Sequence, residues 1–267
     1  MQLFSTLVNN YSIYNDNLKP ITTINDVIDS LDDIIKTSQF DNSPLGYFAA
    51  LYRRVTIKVK EGIENDFFDD GPRMEKLDII FASRYLDAYF SYRDDKVVTT
   101  SWKIAFDLSK NYWPIVLQHL LIGMNAHINL DLGIAAAEVS KGTNIENLKE
   151  DFDKINQILS SLVIEIENDL ASIWPTLKKI LKLTRNVDDF LVDFSMELAR
   201  DGAWEFAKQI AITPSDQFIE VINQRDLKVA DKASIITNPG FVANIILGII
   251  RIGERGSVSN KILYLIS

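Results

Sequence analysis

The chain has 267 residues, 47% of them hydrophobic and 24% charged, which are values typical of a folded globular protein with a sizeable core. The formal net charge of −9 argues against nonspecific nucleic-acid binding, because that needs a basic face. The sequence contains no cysteine, which excludes disulfides, thiolate metal sites and a cysteine nucleophile.

Neither end of the chain carries a targeting pattern. The first residues, MQLFSTLVNNYS, lack the basic start and long apolar run of a signal peptide. The late apolar run over residues 241–250 is too short to span a bilayer, which needs roughly 20 residues. We therefore expect a cytoplasmic protein without a transmembrane segment.

Apolar residues recur at helical spacing through most of the chain, and turn residues separate the segments. In the first part we predict a short helix and loop over residues 1–20, then helices over 25–37, from 44 to about 62, from 72 to about 93, and over 99–110. Further on we predict a central helix over 114–140, helices over 145–185 (broken at Pro175) and 187–212, a loop or broken helix over 224–238, and a last apolar helix that ends near Gly253, followed by a short tail.

These segments predict an all-α fold, a single-domain bundle of about eight to ten helices around a buried central helix. Within it, residues 1–43 are expected to form an N-terminal helical segment that packs on a main helical domain, residues 44–267. No internal repeat or flexible linker divides the chain further.

The central stretch, PIVLQHLLIGMNAHINLDLGIAAAEVS, holds both histidines of the protein, His119 and His127, together with Asn125, Asn129 and Asp131. A helix that is apolar on all sides is normally buried, so some of these polar groups should lie in the core, where each needs a partner.

Helical spacing of about 100° per residue arranges these side chains on separate faces. His119, Gly123 and Gly133 share a face of mostly small residues, which another helix backbone could approach closely. His127 and Asp131 are four residues apart and therefore neighbours. His119 lies about 80° around the helix from His127, so the two histidines do not share a face.

The pair His127 and Asp131 fits three interpretations. The two side chains could bind a divalent metal, with Glu75 and Asp78 from another amphipathic helix completing the site, as in helical bundles that hold metals between carboxylates and histidines. Asp131 could instead orient His127 as a general base. A buried His and Asp could also simply satisfy each other. His119 is a further catalytic candidate, for which a structural role is the alternative.

Four other residues are candidates for substrate binding. Asn125 and Asn129 could hold a polar group of a substrate, or could satisfy the backbone of a neighbouring helix. Arg73 and Arg84 could bind an anion, although both have acidic residues close in sequence, which favours local ion pairs. No G-x-S-x-G, G-x-G-x-x-G or P-loop motif is present, so serine hydrolysis and nucleotide binding have no support.

The segment QHLLIGMNAHINLDL, residues 118–132, resembles the signature of a bacterial all-helical family of unknown function. The resemblance extends to YRRVT at 52–56, PRMEKLD at 72–78 and ARDGAW at 199–204, and would cover about residues 44 to 252. It implies a cytoplasmic all-α domain and supplies no catalytic residues. The His-x-x-x-Asp spacing of His127 and Asp131 is also similar to that of helical zinc-dependent phospholipases, but Gly123 stands where that pattern would need a second Asp.

Two functions follow as hypotheses. The first is an enzyme, most concretely a metal-assisted hydrolase or a related acid–base enzyme, acting on a small or lipid-like substrate beside the central helix. The second is a non-catalytic module that binds a small ligand or a partner, with the His, Asn and Asp cluster as a structural network.

Overall fold

The computed structural model of the protein describes residues 20–174 and 196–266. In these residues the fold is all-α, 81% helical and without strands, as predicted. Three predictions lie outside the described residues: the structure of residues 1–19, the break at Pro175, and the start of the helix over 187–212.

Ten helices are present in the described ranges, and the central one, α5, contains a π-helical segment over His127–Leu132. Their bounds are α1 Ile24–Phe40, α2 Gly46–Glu64, α3 Gly71–Arg93, α4 Thr100–Asp107, α5 Val116–Val139, α6 Lys149–Ile173, α7 Met196–Ile212, α8 Phe218–Thr237, α9 Phe241–Gly253 and α10 Val258–Ile266.

The helix starts follow the local sequence. Thr23 caps α1 in a capping box with Asp26, whose side chain accepts from the Thr23 backbone N–H at 2.9 Å. Asp70 caps α3 just before Pro72, which suits the first helical turn because it has no N–H to satisfy. The helices predicted over 25–37, from 44 and from 72 are confirmed as α1, α2 and α3.

Two predictions about the C-terminal part are wrong. Residues 224–238, predicted as a loop or broken helix, lie almost entirely inside the continuous helix α8. Residues 258–266, predicted as a short tail, form α10. Buried residues of both helices pack on the rest of the protein, including Val229 and Ile236 of α8 and Ile262 and Leu265 of α10. Tertiary packing of this kind decides helix formation where the local sequence signal is ambiguous.

Helix α5 is the axis of the fold. Its N-terminal half packs against α2, α4 and α8, and its C-terminal half packs against α3 and α7. By length and composition alone α5 could cross a bilayer, but 94% of its most apolar window is buried among the other helices. That degree of burial is the pattern of a core helix in a globular protein.

The π segment changes which neighbours α5 meets. A Cβ on Gly123 would lie 2.5 Å from the ring of Phe48 on α2, whereas a Cβ on Gly133 would lie 2.8 Å from the Ala203 carbonyl of α7. The two glycines therefore face different helices. The predicted small-residue face thus meets two neighbours, and the π segment between the two glycines rotates the second half of the helix relative to the first. Close approach of another helix backbone is confirmed at Gly133.

Several helices begin against a carboxylate from elsewhere in the chain. Asp226 of α8 accepts from Thr100 and Ser101 at the start of α4, at 2.7 and 2.9 Å. Asp151 of α6 accepts from Asp69 and Asp70 before α3, at 2.7 and 2.9 Å. Because a helix N-terminus has unsatisfied N–H groups and a positive dipole end, these contacts fix where each helix starts.

Candidate functional site

Asp131, in the π segment, accepts hydrogen bonds from three parts of the chain and is buried, with 1% exposure. Arg84 Nε of α3 donates to its Oδ1 at 2.7 Å, and Trp102 Nε1 of α4 donates to its Oδ2 at 2.8 Å. Nδ1 of His127 lies 3.2 Å from the same Oδ2, which confirms that the predicted pair are neighbours. The prediction of purely local ion pairs is wrong for Arg84, whose partner is 47 residues away.

These contacts fix the protonation of the pair. Burial alone would raise the pKa of Asp131, but the Arg84 charge and the hydrogen bonds from His127 and Trp102 outweigh it and lower that pKa. Asp131 is therefore a carboxylate, which only accepts hydrogen bonds, so Nδ1 of His127 must carry a proton. Burial also lowers the pKa of His127 against the opposing effect of Asp131, so the ring is neutral and its Nε2 is a bare acceptor.

Aromatic rings enclose His127. Phe81 stacks on the imidazole with 3.6 Å between centroids and an interplanar angle of 6°. Tyr52 lies edge-on at 4.6 Å, and Phe48 and Trp102 lie at 5.7 and 5.8 Å. This packing helps to hold the orientation of the ring.

Three polar atoms in this cluster have no hydrogen-bond partner within 3.5 Å among the described residues: Nε2 of His127 and the hydroxyls of Tyr52 and Tyr85. The Thr56 side chain lies near enough to the Tyr52 hydroxyl to lower its pKa, against the larger effect of burial. The Tyr85 ring lies 6.1 Å from His127 and 5.9 Å from Tyr52. Burial raises the pKa of both tyrosines, so their hydroxyls stay protonated and can donate. Each buried unsatisfied group costs about 1–3 kcal/mol, so one acceptor and two donors left open together point to a ligand.

The two acidic residues predicted to complete a metal site are placed differently. Asp78 is buried with 6% exposure and an unpartnered Oδ2, and burial, with a contribution from Glu75, raises its pKa to about 7. Its charge in turn raises the pKa of Tyr52, so it lies on the edge of the cluster. Glu75 Oε1 instead accepts from the Ile24 N–H at the start of α1, at 3.4 Å.

No three His, Asp or Glu side chains in the described ranges form a group that could hold a metal ion. His127, Asp131, Glu75 and Asp78 therefore do not form the predicted four-ligand set. The predicted divalent metal has no support from this arrangement.

His119 lies apart from the cluster around His127. In the described part of the chain its ring contacts Tyr47 on α2, at 5.5 Å. Burial, and next the charges of Arg251 and Lys261, lower its pKa to about 3, so it is neutral at any ordinary pH. Its catalytic role stays a prediction, without a contact to the other histidine.

Asn125 and Asn129 belong to a ladder between α5 and α8. Gln118 donates to the Ile236 carbonyl at 2.8 Å and Asn125 to the Val229 carbonyl at 3.0 Å, so a step of seven along α5 matches a step of seven back along α8. One turn on, Asn129 donates to Asn125 Oδ1 at 3.2 Å. Such contacts set the register of two antiparallel helices, and substrate binding by the two asparagines stays a prediction.

The ladder ends at Arg225, whose Nε donates to the Asn129 carbonyl at 2.8 Å and whose Nη2 donates to the Gly202 carbonyl of α7 at 3.2 Å. The Asn129 carbonyl lies inside the π segment, between His127 and Asp131. Arg225 therefore connects α8 and α7 to the turn that carries the pair. This contact could not be predicted from local sequence patterns, because 96 residues separate its partners.

The two predicted arginines differ in place. Arg73 donates to the Asn147 carbonyl at 2.8 Å and lies 3.5 Å from Asp70, so it belongs to the start of α3. Arg84 reaches Asp131 by its Nε, and its side chain stays 25% exposed. Its Nη1 and Nη2 have no hydrogen-bond partner in residues 20–174 or 196–266, so of the two it is the arginine available to a ligand at this site.

Sequence reasoning missed Tyr52, Tyr85 and Trp102 as members of the site. A buried tyrosine or tryptophan usually needs a partner for its polar atom. That requirement is the signal that would have linked these rings to the polar residues of α5.

The model of the family of unknown function DUF5995 matches residues 24–239, from the first residue of α1 to just past the end of α8. Neither a curated protein nor a solved structure matches the chain. The expected likeness to a helical family of unknown function is confirmed at that level. The bacterial origin and the fifteen-residue signature stay predictions.

Proposed function

We propose that this chain, which belongs to DUF5995, a family of unknown function, is a hydrolase. It would act by metal-free acid–base catalysis, with His127 as the general base. The observation that carries the proposal is the bare Nε2 of His127, buried beside two unpartnered tyrosine hydroxyls. A neutral imidazole with an open acceptor can take a proton from water or from a substrate hydroxyl.

Each neighbour of His127 has a role in this proposal. Asp131 fixes the tautomer and stabilises the imidazolium that forms when Nε2 accepts a proton, as a carboxylate does behind a catalytic histidine. The Tyr52 and Tyr85 hydroxyls donate to a substrate oxygen on which negative charge develops. Arg84, partly exposed, meets the polar end of the substrate with its two free amino groups.

The substrate class follows from the surroundings. Rings of Phe48, Phe81 and Trp102 offer apolar contact, and the polar atoms are few and close together. A small ester or amide with an apolar part, which includes lipid-like molecules, suits such a site. We take the protein to be cytoplasmic because its first residues lack a signal-peptide pattern. We take it not to bind nucleic acid because its formal net charge is −9.

The test is hydrolysis of a panel of small esters and amides of increasing acyl length by the wild type and by His127→Gln. Loss of a general base should lower the rate about a hundredfold or more. His119→Gln is the matched control, because it changes the only other histidine, which is equally buried and makes no contact with His127 in the described structure. Equal rates in all three proteins, or no turnover across the panel, would remove the hydrolase proposal.

The second candidate is a non-catalytic module that binds a small ligand or a partner helix. It is favoured by the ladder from Gln118 to Arg225, in which several of the polar groups of α5 already have structural partners. It predicts that Tyr52→Phe weakens the binding of small polar fragments without any turnover in the wild type. Ligand-observed NMR with the same panel separates the two candidates.

A further inference from the structure

Arg200, on α7, is one of the largest fully buried side chains in the described part of the protein, with 2% exposure. Its Nη2 donates to the Phe152 carbonyl of α6. Its Nε and Nη1 have no hydrogen-bond partner among the residues described. A guanidinium carries five N–H donors, so most of its hydrogen-bonding capacity is unused.

No carboxylate forms an ion pair with Arg200 in the described ranges. Asp153 and Asp201 are near enough to act on its charge, and both favour the charged form, but neither accepts a hydrogen bond from it. Burial lowers the pKa of Arg200 to about 10, so the side chain still carries its charge at neutral pH. A buried charge without a bonded counter-ion is among the most costly features a folded chain can hold.

Three other buried or half-buried arginines in the described ranges each have a carboxylate partner or two carbonyl partners. Arg54 pairs with Asp169 and Glu165, Arg84 pairs with Asp131, and Arg225 donates to two backbone carbonyls. Arg200 differs in that its one acceptor among the described residues is the Phe152 carbonyl, and no described carboxylate bonds to it.

The surroundings of Arg200 suit an anion. The Phe152 ring covers one face of the guanidinium, and Cζ of Arg200 lies 5.0 Å from the centroid of that ring. The Trp204 ring packs on Phe152, with 5.0 Å between the two ring centroids. Lys149 lies over the Trp204 ring at 5.6 Å, so a second cation borders the same aromatic pair. Asp201, the next residue along α7, is exposed.

We propose that Arg200 is a binding site for a small oxyanion, the carboxylate or phosphate group of a ligand or the free ion. The oxyanion accepts hydrogen bonds from the open N–H groups of the guanidinium, and Phe152 keeps the group in place. Arginine suits this role because its planar donors match carboxylate and phosphate oxygens. The site is on α6 and α7 and does not depend on the role of His127.

The test compares thermal unfolding of the wild type and Arg200→Met in a buffer free of oxyanions, then with inorganic phosphate or acetate added at constant ionic strength. The wild type should gain about 5 °C or more in Tm, saturating with anion concentration, and Arg200→Met should not respond. Without oxyanion, Arg200→Met should be at least as stable as the wild type, because it removes a buried unpaired charge. A larger response to phosphate than to acetate, or the reverse, identifies the anion group.

Arg225→Met is the matched control, since Arg225 is partly buried and donates to two backbone carbonyls. It should lower Tm in both buffers and keep the response to the anion. Arg200→Lys, which keeps the charge, should retain part of the response and serves if Arg200→Met does not fold. A wild type indifferent to both anions, or a response that persists without Arg200, would overturn the proposal.

Discussion

At the scale of single residues, the candidate site depends on Asp131, because this side chain connects α3, α4 and the π segment of α5. One carboxylate sets the tautomer of His127, holds Trp102 and pairs with Arg84. The hydrogen bonds of the site therefore do not act independently, and removing one partner should affect the others.

We expect Asp131→Asn to lower the free energy of unfolding by about 2–4 kcal/mol, measured by urea unfolding. Asparagine keeps the shape but leaves Arg84 without its counter-ion and removes one acceptor. Asp87→Asn is the control. Asp87 is an acidic residue near Arg84 on α3, and burial raises its pKa to about 6. Asp87→Asn should be neutral or slightly stabilising at pH 7. Equal losses in the two variants would contradict this account of Asp131.

Asp78 makes stability depend on pH. Its pKa is raised from 3.8 to about 7, so between about pH 4 and 7 the folded state keeps a proton that the unfolded state has lost. The unfolding free energy therefore falls as pH rises through this window, by up to about 4 kcal/mol. Asp78→Asn should remove that fall, so its advantage over the wild type should grow from pH 4 to pH 8.

Urea unfolding at both pH values measures the effect of Asp78→Asn. The exposed Asp33 on α1 serves for comparison, since Asp33→Asn should differ from the wild type by a similar small amount at both values. A constant difference between Asp78→Asn and the wild type would show that Asp78 titrates normally.

Part of the site was predictable at this scale and part was not. The pair His127 and Asp131 followed from the sequence because residues four apart remain neighbours along a helix. The other side chains of the site come from other helices. The two hydrogen-bond donors to Asp131, Trp102 and Arg84, are 29 and 47 residues away from it in sequence. Contacts over such distances depend on how helices pack, which periodicity does not specify.

At the scale of elements, the π segment explains why predictions for α5 succeeded only locally. Constant helical spacing placed Gly123 and Gly133 on one face, but the structure places them against α2 and α7. The same turn exposes the Asn129 carbonyl to Arg225. A π segment inside a helix is a frequent feature of functional sites, and here it carries the candidate base.

We expect Gly133→Ala to cost about 1–3 kcal/mol in unfolding free energy, because its Cβ would lie 2.8 Å from a backbone oxygen that cannot move cheaply. Gly248→Ala is the control, in the interior of α9, where a Cβ meets nothing within 4 Å. That substitution should stabilise by about 0.5–1 kcal/mol, since alanine favours helix. A stabilised Gly133→Ala would mean that α5 and α7 are not in close contact.

At the scale of the whole molecule, α9 and α10 complete the fold although they lie beyond the residues matched by the family model. Glu254, just after α9, accepts from the Val116 N–H at the start of α5 at 2.9 Å. Lys261 of α10 donates to the same carboxylate at 2.7 Å, and both side chains are buried. The all-α class was predictable from periodicity, but this closing contact was not, because α10 is short and follows a Gly-containing turn.

Ile262→Ala, at a position with no exposure, should cost about 2–5 kcal/mol in unfolding free energy. Leu263→Ala, one residue on and 51% exposed, should cost less than about 0.5 kcal/mol. Chemical denaturation of the two variants measures the difference. Similar small costs would show that α10 does not belong to the core.

The most direct test of the site is the protonation of His127 itself, read from long-range ¹H–¹⁵N correlations of the imidazole nitrogens. The chain has two histidines, so His119→Gln leaves the His127 signals alone. We predict a proton on Nδ1, a bare Nε2, and a ring that is neutral at pH 7, because burial lowers the pKa of His127. A proton on Nε2, or an imidazolium at pH 7, would contradict the assignment of His127 as an open base.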